Sequence, residues 1–164
     1  MGESLHSLKD LFVEQLQDMY NAERQIIAAL PKMIDGASSP ELKEDFRNHL
    51  EVTRDQAQRL ERVFAMLDLP AEEHFCAGMA GLLKEGEDVL EMDAAPAVRD
   101  AALIAAAQKV EHYEIATYGT LRTFARTLGF TDAAGLLQKT LREEAQTDEL
   151  LTRVAESSIN RKAA

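Results

Sequence analysis

Apolar residues step by three and four over most of the chain, and the breaks in that rhythm divide it. From Ser4 to about Gly36, Leu5, Leu8, Phe12, Leu16, Met19, Ile26, Leu30 and Met33 mark one face of a long amphipathic helix, which Pro31 is expected to bend near its end. Ser38-Ser39-Pro40-Glu41 sets a cap residue, an early proline and a first-turn acid in order. That is a start signal for a second helix over residues 39–68, which Leu69-Pro70 stops. Residues 71–96 hold Gly78, Gly81, Gly86 and Pro96 and read as a long crossover with one shorter helix over about 79–92. A third long helix is expected over 97–128, closed by Gly129, and Thr131-Asp132 is expected to cap a fourth over 132–159. Asn160 to Ala164 reads as a frayed tail.

The connections near 36–39 and 129–131 are short, so the first two long helices form one antiparallel hairpin and the last two another. Joining the hairpins by the crossover gives up-down-down-up directions. The expectation is a single all-α domain over residues 1–164, a ferritin-like four-helix bundle with a short extra helix in its crossover.

Composition narrows the function classes. Among 164 residues, 25 are alanine, none is tryptophan and only 12 are Gly or Pro, the vocabulary of helices. The formal charge of −11 argues against a nucleic-acid partner, since phosphate contacts need clustered Lys and Arg. No stretch approaches the length of a membrane span, and MGESLHSLKD has neither the basic nor the apolar region of a secretory leader. A single cysteine, Cys76, cannot form an internal disulfide, which fits a reducing cytoplasm.

Acids occupy positions where a core should be apolar. Glu23 lies in the middle of the first helix's stripe, between Leu16 and Leu30. The third long helix centres its stripe on Leu103, Ala107, Val110, Glu114, Tyr118, Leu121 and Ala125, with Glu111 at the edge of the same arc. On the fourth, Glu144 is central and Asp148 lies one turn further. Glu23 and Glu114 precede their hairpin turns by about 14 and 16 residues, and Glu144 and Asp148 follow theirs by a similar distance, so the acids share one level. A lone carboxylate in a core costs several kcal/mol, so each needs a cation, a hydrogen-bond network or a metal. On the second helix His49, Thr53 and Gln56 fall on or near the matching face, whereas Glu51 points roughly 150° away. Hard oxygen ligands with an occasional imidazole, gathered from several helices, suit iron or manganese pairs. The competing reading is an acid cluster that shares protons or pairs with arginine.

Asp18-Met19-Tyr20-Asn21-Ala22-Glu23-Arg24-Gln25, His49-Leu50-Glu51-Val52-Thr53 and the run from Arg99 through Glu111-His112-Tyr113-Glu114 to Ala116 resemble the YciF/YciE family of bacterial stress-associated, ferritin-like proteins. The resemblance covers nearly the whole chain and implies a rubrerythrin-like dinuclear metal site, dimerisation and induction under stress. Carried across, the metal set is Glu23, Glu111-x-x-Glu114 and Glu144-x-x-x-Asp148, with Asp148 standing where rubrerythrin-type sites commonly carry His. The Glu-x-x-His expected on the second helix is absent, since Glu51 is followed by Arg54, which leaves His49, Glu51 or no ligand there.

Two functions compete at this stage. One is a di-iron or di-manganese oxidoreductase, peroxidase- or catalase-like, that handles peroxide or dioxygen. Having no Cys-x-x-Cys pair, it would draw on an external electron donor, a need that a catalase-like cycle would avoid. The other is a non-enzymatic dimeric stress or structural protein whose acid cluster binds metal weakly or not at all. A homodimer is expected because the face with Ala101, Ala105, His112 and Ala116 is small and outward. Tyr20 and Tyr118 are expected to flank the acid layer, and Cys76, His6 and His74 to have no catalytic part.

Overall fold

The computed structural model describes residues 5–164. Ser4, the expected start of the first helix, lies outside the described residues. Helix α1 spans Leu8–Gly36, capped by Ser7, whose Oγ accepts the Asp10 N–H at 3.1 Å. It continues through Pro31, which leaves the Ile27 carbonyl without its helical donor. Helix α2 spans Pro40–Met66, with Ser39 Oγ accepting the Leu42 N–H at 3.4 Å. It ends two residues before the expected Asp68 because Asp68 itself turns the chain, at φ 56°. Leu69 N–H donates to the Phe64 carbonyl and Asp68 N–H to that of Ala65, both at 3.1 Å, satisfying the helix's last acceptors before Pro70.

The crossover helix α3 spans Ala77–Glu91, and α4 spans Pro96–Thr127. Gly129, at φ +81°, closes α4 as expected, with Phe130 N–H reaching the Ala125 carbonyl at 2.8 Å and Gly129 N–H that of Arg126 at 3.1 Å. Helix α5 spans Thr131–Val154, and here Thr131 is the first helical residue, with no side-chain cap before it. The cap position falls to Phe130, which closes α4 and stacks its ring on Phe12, centroids 6.1 Å apart. The tail is not frayed. A π-helical turn over Ala155–Ile159 seats Ile159 in the core, and α6, Asn160–Ala163, packs on α4. The described residues contain no strand, and none of their helices is long and apolar enough to cross a membrane.

Helix α1 packs on α2, α4 on α5, α2 on α5 and α1 on α4, while α3 lies across α1 and α4. Two sets of polar ties hold the connections. Asn21 Oδ1 on α1 accepts the Cys76 N–H at 2.9 Å, and Gln25 Nε2 donates to the Cys76 carbonyl at 3.1 Å, pinning the crossover to α1. The buried Asp100 near the start of α4 accepts the N–H groups of Ser38 and Ser39 at 2.7 and 2.8 Å, fixing the α1–α2 turn. Gly78 lets α3 approach α4, since a Cβ there would stand 2.8 Å from the Tyr113 ring.

These contacts place the start of α1 beside the α4–α5 turn and the α1–α2 turn beside the start of α4. One end of the core therefore collects Phe12, Leu16, Phe64, Leu121 and Leu137, and the other Leu42, Phe46, Leu103, Leu151 and Ile159. Between these apolar ends lies a polar layer.

Candidate metal centre

The layer follows from helical phase. Glu23 on α1, His49, Thr53 and Gln56 on α2, Glu111 and Glu114 on α4, and Thr140 and Glu144 on α5 are all buried, each continuing the stripe that its helix turns to the core. Glu111 and Glu114, three residues apart, project from adjacent turns of α4 into the same space. His49, Glu111, Glu114 and Glu144 converge most closely: one ligand atom from each lies within 4.8 Å of all the others.

Hydrogen bonds aim these side chains. His49 Nε2 lies 3.2 Å from Glu111 Oε1. Gln56 Nε2 donates to Glu144 Oε1, and the Tyr118 hydroxyl to Glu23 Oε1. Thr53 Oγ1 is turned away, donating to the His49 carbonyl at 2.8 Å. Arg59, one turn beyond Gln56, reaches Thr140 Oγ1 at 2.6 Å and clasps both oxygens of Glu143 at 2.7 and 3.1 Å. With the acids ionised, Glu23 Oε2, Glu111 Oε2, both oxygens of Glu114 and Glu144 Oε2 are buried without a donor, as is His49 Nδ1.

Ionisation is correspondingly suppressed. Burial, then the charge of Glu144, raises the Glu23 carboxyl to about 8, against the opposing hydrogen bond from Tyr118. Burial also lifts Glu111 to about 8. Glu114 and Glu144 stand well above the ordinary range, driven first by burial and next by a neighbouring carboxylate, Glu144 for the former and Glu111 for the latter. Glu111 and Glu144 each bring an oxygen within 4.8 Å of the other. Oxygen-rich donors with one imidazole, several lacking any partner, make a set that could hold a metal ion.

Four of the expected ligands thus meet, and Glu23 borders them through its charge and Tyr118. Asp148 stands apart from the four. Gln108 Nε2 donates to its Oδ1 at 3.2 Å and His112 Nε2 lies 3.2 Å from its Oδ2, so it joins α5 to α4. Glu51 is exposed and pairs with Arg54, leaving His49 as the α2 side chain that faces the cluster. Tyr20 turns away and donates to Glu61 at 2.8 Å. Cys76 caps α3 with its Sγ, which accepts the Met79 N–H at 3.4 Å, and burial raises its thiol. Arg59 was not anticipated from sequence. The readable signal was a second polar residue one turn after Gln56 on a stripe that continues in Leu60 and Val63.

The chain is similar to known proteins over nearly its whole length. Protein YciF of Escherichia coli strain K12 is 45% identical over 161 residues, covering 98% of this chain and 97% of that protein. The crystal structure of the E. coli stress protein YciF superposes with a TM-score of 0.92 at 44% identity, over 95% of this chain and 99% of that one. YcfI of Rhodopseudomonas palustris gives a TM-score of 0.90 at 41% identity, over 94% and 99%. The family model described as a domain of unknown function, DUF892, matches residues 7–164. With identity of this order over almost the full length of both chains, the chain belongs to the DUF892 family, that of the stress protein YciF.

Proposed function

We propose that α1, α2, α4 and α5 form a ferritin-like four-helix bundle around a carboxylate-rich dinuclear iron or manganese site. In this reading the protein works in the cytoplasm as a stress-associated homodimer that acts on dioxygen or peroxide. The observation that carries the reading is the convergence of His49, Glu111, Glu114 and Glu144, with buried carboxylate oxygens that no protein donor reaches. Native cores almost never leave so many buried acceptors unpaired in one place, and a cation satisfies them together.

In this proposal His49, Glu111, Glu114 and Glu144 would hold the metal, with Glu23 beside them as a further carboxylate. Asp148 stays at the rim, ordering α5. When bound, two such ions supply electrons to an O–O bond. The chain's own residues do the positioning: Gln56 fixes the rotamer of Glu144, Tyr118 keeps a donor on Glu23, and the apolar layers above and below exclude water. The sequence contains one cysteine and hence no thiol pair to deliver electrons, so turnover draws on an external donor.

A second reading is favoured by the existing hydrogen bonds. Tyr118 to Glu23, Gln56 to Glu144 and His49 to Glu111 form a network that protonation of the remaining carboxylate oxygens could complete. The protein is then a non-enzymatic dimeric stress or structural protein. Iron and manganese analysis of protein purified without chelator separates the two. We expect iron or manganese at up to two ions per chain, lost in Glu114→Gln. Trace metal only, with melting unchanged by added Fe(II) or Mn(II), removes the metal reading.

A further inference from the structure

A cavity of about 50 Å³ lies beneath α3, and the long helices supply the rest of its wall. Ile26, Met33, Phe46, Leu83, Ala106 and Val110 give it an apolar lining. Its two ends differ in character. Lys32 on α1 and Glu87 on α3, joined at 2.8 Å, are exposed and mark where it meets solvent. His49 and Glu111, members of the convergent cluster, are buried and mark its inner end.

Size and lining restrict what enters. The volume is a few times the roughly 10–15 Å³ that holds one water on this measure, and falls well short of the roughly 150 Å³ of an engineered cavity that admits benzene. Most of the wall is apolar, and the polar side chains on it besides those at the two ends are Asp45 and Thr147, the latter already donating to the Glu143 carbonyl at 3.1 Å, so a water, which needs two or more polar partners, finds few along it. Hydrogen peroxide, a strong donor and acceptor, would forfeit most of its hydrogen bonds along the apolar part of the wall. Dioxygen has none to lose. We propose that this cavity is the route by which dioxygen, in preference to peroxide, reaches the His49–Glu111 side of the cluster. The assignment of dioxygen as a reactant rests on the metal reading above, whereas occupancy of the cavity by an apolar diatomic does not.

Gly86 is the handle for a test. It is buried on α3, and a Cβ there would stand 3.6 Å from Met33 Sδ and Cε, in ordinary contact, with longer side chains extending into the cavity. Gly86→Leu fills it from α3, and Ala107→Leu fills it independently from α4 should the first variant fold poorly. The measurement is paramagnetic relaxation of side-chain protons by dissolved dioxygen in the full-length, metal-free protein. The expected result is that enhancement at Ile26, Val110 and the His49 ring exceeds that at equally buried Leu16 and Leu121 at least threefold, and that either filling variant removes the excess. Xenon should occupy the same position in pressurised crystals. Uniform enhancement over the core, or an excess at His49 that survives both variants, overturns the proposal. Metal content is read separately, on protein purified without chelator, so loss of the metal reading with the dioxygen signal intact leaves the cavity assigned and withdraws only its role in supply.

Discussion

Glu114→Gln offers the most direct measure of what the buried acids cost. Glu114 is fully buried, neither of its oxygens has a donor, and its carboxyl sits well above the ordinary 4.5. A carboxyl whose folded pKa is raised leaves stability intact below the unfolded value. It loses stability as pH climbs from there to the folded value, because the unfolded chain releases its proton first. For Glu111, moving from 4.5 to about 8, the loss reaches roughly 3 kcal/mol by pH 7, at about 1.4 kcal/mol per unit. Glu114 is raised by burial and then by the charges of Glu144, Glu23 and Glu111, so it loses stability in the same direction as pH climbs. Glutamine keeps the shape, removes the proton requirement and supplies an amide donor to the unpartnered oxygens of its neighbours. Metal-free Glu114→Gln should therefore melt several degrees above wild type at pH 7, each kcal/mol being worth roughly 2–4 °C for a chain of this size. The gap should close toward about pH 4.5. Excess Fe(II) or Mn(II) should reverse the order at neutral pH, since an ion at a hundredfold its dissociation constant stabilises wild type by about 2.7 kcal/mol and finds a crippled site in the variant. The assay is thermal unfolding followed by circular dichroism, with chelator or metal, between about pH 5 and pH 8. A variant less stable than wild type in chelator, with a pH dependence parallel to it, refutes the reasoning.

Asp100→Asn should destabilise by about 1–3 kcal/mol in urea titration with an unchanged slope, because Ser38 and Ser39 N–H each use a different carboxylate oxygen and the amide turns an NH2 donor against one of them. Asp68→Gly should raise stability by about 0.5–1 kcal/mol, since glycine takes the left-handed conformation without strain and the change removes a negative charge from the end of α2. Sedimentation should return twice the chain mass, with Ala105→Glu, on the exposed face of α4, shifting the equilibrium to monomer. A monomer at all concentrations contradicts that proposal.

Helix positions were legible because the stripes are long and uninterrupted, and the acids were legible because each interrupts a stripe at its centre. Glu23, Glu111, Glu114 and Glu144 needed only the helical period to be placed in the interior. His49 was found by the same phase, which also excluded Glu51. Asp148 shows where phase runs out. One turn from Glu144, it has the right angle to within a few tens of degrees, yet Gln108 and His112 on α4 offer it partners nearer the surface. Such a choice depends on the neighbouring helix, and no single helix's pattern contains it. The ends of α2 and α5 were misread for a related reason. Asp68 terminates a helix where glycine is the usual signal, and a π turn keeps Ile159 in the core beyond the regular phase.

The position of the polar layer explains how the chain tolerates it. A cluster of raised carboxyls near one end of the long helices would fray those ends, where backbone groups already lack helical partners. Here each acid sits near the middle of its helix, with large apolar side chains filling the core on both sides. Arg59 reinforces one flank. It pairs with Glu143 and Thr140 instead of entering the cluster, so the positive charge nearest the acids is already committed. Had Arg59 paired with Glu144, the cluster would have been neutralised from within and its oxygens satisfied. Instead Glu144 receives a neutral amide from Gln56, which orients the carboxylate without discharging it. An arrangement that orients acids while withholding cations keeps their demand for a positive charge, and that demand is what a bound metal would meet.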